Sequence, residues 1–253
     1  MSFWLCFLFI IVIGVVLPIV KKYKKNPQNA ASAKTALPGV FSVSENKKVQ
    51  FSSGAMTYKM EGGIRISSSQ FSADTDYFCL RDEKYMKWET KSGVWRVLSA
   101  EEWEYLVKER PNASNLLGVA GVADKYYGVV LLPDNFQLPA GVTFTPGLGP
   151  TWVVNKYTFQ EWQQLADAGA VFLPEGRYLM SGSRERVGCI YWTSSGDKVM
   201  DQYGKINMRT PYTYIFNCID KEAKISNDPE DAVRLELETQ TVSLAMYRYV
   251  KDC

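Results

Sequence analysis

Hydrophobic and polar positions follow three different regimes along this chain. From Phe3 to Val20 no residue is charged, and all but Gly14 and Pro18 are apolar. At 18 residues the run is just long enough to cross a bilayer as a helix. Pro18 falls in its last turn, where a kink does not prevent insertion. No charged residue precedes Phe3 as in a cleaved signal peptide, so residues 1–20 read as a retained single-pass anchor. Residues 21–38 have no periodicity: a basic flank, Lys21-Lys22-Tyr23-Lys24-Lys25, runs into an Ala, Ser, Asn and Pro spacer with the character of a flexible linker.

Residues 39–253 carry the pattern of a folded domain. Val40 to Ser44 and Lys48 to Ser52 alternate around Glu45-Asn46-Lys47, which predicts a hairpin. Met56 to Met60 and Ile64 to Ser68 predict a second, with Gly62-Gly63 at its turn. Tyr77 to Leu80 reads as a strand, and Trp88 to Val97, broken at Ser92-Gly93, leads into a helix. Ser99 is that helix's N-cap, and Glu102, three residues on, can reach back to the cap's N–H. Trp103 and Leu106 then share a face, with Tyr105 beside them, and Pro111 ends the helix near Arg110. The same grammar returns at Thr158-Phe159-Gln160-Glu161-Trp162, predicting a second helix over Phe159 to Ala168 with Gly169 as its C-cap.

Gly128 to Leu132 and Ala170 to Leu173 are short continuous apolar runs, read as buried strands, and the Gly- and Pro-rich Leu138 to Pro150 as loop. Beyond Gly176 no helical period appears. Cys189 to Ser194, Tyr212 to Ile219, Ala232 to Leu237 and Leu244 to Val250 suit an antiparallel sheet. The fold class is α+β, with one domain over 39–253.

Composition narrows the chemistry. A net charge of +2 in 253 residues supplies no basic face for nucleic acid. The chain has no histidine, which removes Ser-His-Asp and Cys-His catalysis and any imidazole base or ligand. The positive-inside rule places Lys21–Lys25, and the domain after them, in the cytoplasm.

Several segments resemble a known superfamily. Trp95-Arg96-Val97-Leu98-Ser99-Ala100-Glu101-Glu102-Trp103-Glu104-Tyr105-Leu106 is similar to the Glu-Trp-Glu signature of the formylglycine-generating, sulfatase-modifying proteins. Gly128 to Asp134, Gly169 to Pro174, Tyr191-Trp192-Thr193-Ser194-Ser195 and the closing Tyr247 to Asp252 resemble more narrowly the Fibrobacter major paralogous domain family of Bacteroidetes surface proteins. The resemblance covers about Val40 to Cys253. It implies a C-type lectin-like domain: two helices flanking a twisted antiparallel sheet, long irregular loops and neighbouring termini. It also implies export, against the charge rule, and a non-enzymatic binding role. The catalytic relatives hold copper through a cysteine pair near the C-terminus, where this chain has Cys253 alone.

The remaining candidates follow from the residues. Cys79, Cys189, Cys218 and Cys253 allow three pairings between which the sequence does not choose; Cys189 and Cys218 both fall in predicted strands, which suits a cross-strand disulfide, and buried free thiols are the alternative. Asp74-Thr75-Asp76 and Asn227 to Asp231 lack the frame of a calcium loop and read as solvated turns, so no metal or other cofactor is expected. Trp95, Trp103, Trp162 and Trp192 read as core. Tyr203, Asn207, Arg209, Tyr212 and Tyr214 lie in a stretch, 196–231, read as mostly irregular, and residues of these types make adaptable contact surfaces for a glycan or protein ligand. The expectation is a membrane-anchored, non-catalytic binding or adhesion module held in the bilayer by residues 3–20. The alternatives are a divergent copper oxidase using Cys189 or Cys253, or a structural subunit of a surface assembly.

Overall fold

Every predicted helix start and most predicted strands are present in the structure, a computed structural model. It describes residues 36–59, 63–71, 86–90, 93–149, 154–178, 186–200, 202–204, 206–217, 222–226, 234–237, 240–243 and 246–253. These belong to one unit, Lys34–Cys253. The segments 3–20, 74–80 and 227–231 singled out above lie outside the described residues, as do Cys79 and Cys218.

The elements follow in chain order. A hairpin joins β1 (Phe41–Ser44) to β2 (Lys47–Phe51), and a second joins β3 (Met56–Lys59) to β4 (Gly63–Ile66). Strands β5 (Lys87–Thr90) and β6 (Gly93–Val97) lead into α1 (Ala100–Glu104), which continues as a π-helical turn over Tyr105–Glu109 and stops at Arg110 as Pro111 requires. Then come β7 (Leu117–Val122), β8 (Tyr126–Leu131), β9 (Asn155–Tyr157), α2 (Phe159–Asp167) and β10 (Val171–Pro174). The chain closes with β11 (Gly176–Tyr178), β12 (Arg186–Met200), β13 (Ile206–Asn217), β14 (Glu222–Ser226), β15 (Arg234–Leu237), β16 (Gln240–Ser243) and β17 (Tyr249–Asp252).

The architecture is sheet-rich α+β with two short helices. One sheet has the order β1-β2-β17-β6-β5 and is antiparallel throughout, so the last strand lies between two early ones. A second, β10-β8-β7-β9, is antiparallel except for the parallel pair β7–β9. A third is β11-β12-β13-β14. The linker predicted over 21–38 overruns this domain: Ala36 bridges Ser52 and the Leu37 N–H donates to the Phe51 carbonyl at 2.8 Å. Leu37 also packs on the core, so residues 36–38 are an added edge rather than spacer.

Both helices carry complete capping boxes. The Ser99 and Thr158 hydroxyls accept from the N–H of Glu102 and Glu161, and each glutamate accepts from its cap's N–H in return. Gly169, at φ +104°, ends α2 in the left-handed region. Its backbone lies against Gly39, where a Cβ would collide with the Gly169 carbonyl oxygen. That contact ties the first residues of the domain to the end of α2.

Packing explains what the hydrophobic pattern missed. Val119 and Val129 of the second sheet face one cluster, with Phe41, Phe51, Trp103, Leu106 and Tyr214. Ala120, Val122 and Val130 face another, with Trp162, Leu165 and Phe172 under α2. A sheet covered on both faces has no polar alternation, and β7 (Leu-Gly-Val-Ala-Gly-Val) consequently gave no strand signal. Asn155 of β9 is a buried polar brace: its amide donates to the Val119 and Thr145 carbonyls at 2.8 Å and accepts from the Thr145 N–H at 2.7 Å. It pins the Pro/Gly-rich loop to the sheet edge.

One ion network staples the first sheet to α1. Arg96 of β6 forms a bidentate pair with Glu102 at 2.6 and 2.9 Å and reaches Asp252 of β17 at 2.6 Å, while Lys47 joins Glu102 at 2.9 Å. Burial opposes ionisation of Glu102, but the bonds from Arg96, the Ser99 N–H and Lys47 outweigh it and hold the carboxyl below its usual value of 4.5. Glu102→Ala removes half of the capping box and one of the two carboxylates of a half-buried guanidinium, with an expected cost of about 2–3 kcal/mol in denaturant unfolding. A lowered carboxylate adds stability above its unfolded pKa and loses it as pH falls through the folded one. Thermal stability should therefore hold steady from neutrality and fall below about pH 4, and this fall should be shallower in Glu102→Ala.

Candidate functional site

The long β12–β13 hairpin dominates the exposed features of the described residues. β11 covers it only at 186–188 and β14 only at 213–217. From Gly196 to Pro211 the two strands pair with each other alone among the described residues, with register shifts near Trp192–Gly196 and Asp197–Lys198. This two-stranded arm carries Met200, 65% exposed, and Tyr203, 85% exposed, at its tip.

The root of the arm is built on the start of α1. Ser194 N–H donates to the Leu98 carbonyl at 2.9 Å, and the Ser195 hydroxyl accepts from the Ala100 N–H and donates to Glu101 Oε2, each at 3.0 Å. The buried Thr193 hydroxyl donates to the Tyr212 carbonyl at 2.9 Å. The Tyr212 hydroxyl in turn donates to Asp197 Oδ1 at 2.9 Å, across the arm. That bond raises the Tyr212 phenol above its ordinary value. Glu101 is held below its own by its backbone N–H, then by Ser99 and Ser195. The Asp197 and Glu101 carboxyl groups therefore lie beside an oriented phenol ring on one rim. Such a group can accept hydrogen bonds from hydroxyl-rich or amide-bearing ligands and offer an aromatic face beside them.

The structure divides the predicted contact residues. Tyr203 sits in the turn and Tyr212 at the root; Asn207 and Arg209 lie between them on β13. Tyr214 is different. It is fully buried, stacked on Trp103 with centroids 5.4 Å apart, and burial pushes its phenol up. Its place in an exposed surface is corrected to the core. The pleat explains this: Tyr212, Tyr214 and Phe216 share one face of β13, and only Tyr212 lies beyond the edge of the core. The description of 196–231 as mostly irregular is likewise corrected, since β12, β13 and β14 occupy most of 196–226. Asp197, Ser195 and Glu101 were missed. Ninety-four positions separate Ser195 from Glu101, and no local spacing announces such a pair.

Other candidates have structural roles or no described geometry. The Cys189 thiol is buried and donates to the Leu173 carbonyl at 3.2 Å, whereas Cys253 is exposed at the end of β17, on another sheet. A Cys189–Cys218 bond involves a residue outside those described. A cleft of about 260 Å³ opens beside Lys48 and Asp134. The Asp134 carboxylate is already engaged by the Ser42 N–H and hydroxyl and by Arg110. Trp95, Trp103, Trp162 and Trp192 are all buried, as expected of core.

Among the described residues, no group of three or more Cys, Asp or Glu side chains is placed to hold a metal, and no helix is long and apolar enough to cross a membrane. The site and fold define a sheet-rich α+β domain presenting a hairpin arm. Comparison of the chain with family models, curated proteins and solved structures returned no match.

Proposed function

We propose that this chain is a membrane-anchored, non-catalytic ligand-binding or adhesion module. In this reading residues 3–20 form the anchor, and the domain is C-type lectin-like and extracytoplasmic. The placement of β17 between β2 and β6 supports the fold assignment, because it brings the two ends of the domain together. The two box-capped helices around separate sheets support it further. Fold alone does not carry a function, so the binding role rests on the arm. The observation that carries it is Tyr203, 85% exposed at the tip, on the same arm as a Tyr212 ring held by Asp197. Exposed tyrosines give contact area at small entropic cost, because the ring has few rotatable bonds.

Glycan-array and pull-down screening of residues 39–253 tests this. Binding should appear, and Tyr203→Ala together with Asp197→Ala should weaken it about tenfold or more, as for contact residues at an interface centre. A silent domain, or a ligand indifferent to both changes, refutes the role of the arm. Protease shaving of intact cells reports the side of the membrane, and a protected domain refutes export.

The alternative of a structural subunit is favoured by a separate observation. A two-stranded ribbon is marginal by itself in water, and Met200 at its tip is 65% exposed. Concentration-dependent self-association in sizing experiments, abolished by shortening the arm, would select that reading.

A further inference from the structure

Among the described residues three arginines are withdrawn from solvent, and their partners differ. Arg96 has Glu102 and Asp252, and Arg110 has Asp134 at 3.0 Å. Arg248, only 1% exposed just before β17, has neither a carboxylate nor a backbone carbonyl partner among the described residues. Its Nη2 donates to Gln70 Oε1 at 3.3 Å, a long bond to an acceptor already shared with the Phe172 N–H at 2.7 Å. Its Nε and Nη1 have no hydrogen-bond partner among the described residues.

A guanidinium in this setting is out of balance. An arginine keeps its proton where a lysine or carboxyl group would neutralise, so burial does not remove the charge. Burial pushes the Arg248 pKa down, to about 10, which still leaves it charged at neutral pH. An isolated buried charge is strongly unfavourable unless paired, and two unmet donors add to that. Among the described residues, the polar groups beside it are the Tyr191 phenol and the Gln70 amide, and neither is a carboxylate. A water molecule could take up a donor but not the charge.

We propose that Arg248 is the centre of an interior binding site for a small inorganic monovalent anion, with chloride as the representative ligand. The anion accepts from Nε or Nη1, supplies the missing negative charge, and leaves Nη2 to hold Gln70. Gln70 in turn holds the Phe172 N–H and, at 3.4 Å, the Ala170 carbonyl, so the site lies where β10 meets the approach to β17. The site is separate from the arm, and its failure would leave the proposed binding role untouched.

The test is thermal unfolding of the full-length chain at constant ionic strength, as chloride replaces the bulky anion gluconate. A single bound ion should raise Tm by roughly 3–5 °C per tenfold rise in chloride once its Kd is passed. Arg248→Met should lose this dependence while the wild-type chain keeps it. A wild-type Tm indifferent to chloride, or the same slope in Arg248→Met, overturns the proposal. If Arg248→Met does not fold, bromide-soaked crystals of the wild-type chain decide the matter. An anomalous peak within hydrogen-bond reach of Nε or Nη1 supports the site, and a water or nothing at that position refutes it.

Discussion

Trp103→Ala lowers the unfolding free energy by about 3–5 kcal/mol, the range for removing a large buried ring from a packed core. The indole is 1% exposed and meets four aromatic rings: Phe51 at 6.2 Å, Tyr191 at 5.8 Å, Tyr214 at 5.4 Å and Phe216 at 5.9 Å between centroids. Phe51 belongs to the five-stranded sheet and the other three to the sheet of β11 to β14. One side chain of α1 therefore closes the contact between two sheets, and alanine leaves a cavity bounded by stiff strands that cannot collapse into it. Trp103→Phe keeps much of the volume and discards an indole N–H that has no acceptor among the described residues, so its cost should stay below about 2 kcal/mol. Urea unfolding monitored by circular dichroism checks both. Equal losses for the two variants, or a negligible loss for alanine, would show that the ring is not the joint between these sheets.

Asp134→Asn is expected to destabilise the domain by a similar amount, about 3–5 kcal/mol, through a different mechanism. Arg110 has a side chain with no exposure, lies 5.6 Å over the Phe41 ring, and has Asp134 as its one carboxylate partner among the described residues, with the Leu132 carbonyl at 2.9 Å. Burial lowers the Arg110 pKa and Asp134 opposes that fall. The amide removes the charge and leaves one acceptor oxygen where two served Ser42 and Arg110, so the guanidinium is uncompensated in the core. The double variant Asp134→Asn/Arg110→Met should cost clearly less than the sum of the two single changes, since the second removes the stranded charge. A denaturant-unfolding cycle measures this. Strict additivity would mean that the pair is not a unit.

Local physics made the helices legible. Ser99 with Glu102 and Thr158 with Glu161 satisfy backbone donors within one turn, so the boundary is written into four consecutive residues. The first hairpin, the break at Ser92-Gly93 and the left-handed Gly169 depend equally on neighbours in sequence. The π-helical turn after α1 was not legible, because Tyr105 to Glu109 has the apolar spacing of an ordinary helix. The C-terminal third was legible as strands but not in extent. Alternation marked Cys189 to Ser194 and Tyr212 to Ile219, whereas the arm beyond them has no core to face and hence no pattern to read.

The site was less legible than the fold. Tyr203 and Tyr212 could be picked by residue type and position, but Tyr214, two residues on, was drawn into the same set although it is core. Nothing in the order Tyr-Thr-Tyr says where the covering helix ends. Arg248 was visible only as part of the closing Tyr-Arg-Tyr-Val-Lys-Asp segment, since a lone arginine between aromatic residues signals no particular burial.

By itself, the sequence determined the helix limits, the turn positions, the apolar run at 3–20 and the absence of imidazole chemistry, all properties of single residues or of spacings under about five. The tertiary structure alone decided that β17 enters between β2 and β6, that Glu101 meets Ser195 at the root of the arm, and that Arg110 is given Asp134. These contacts join residues about 25 to 200 positions apart. They are selected by burial and charge compensation in the assembled core, which have no signature in neighbouring residues.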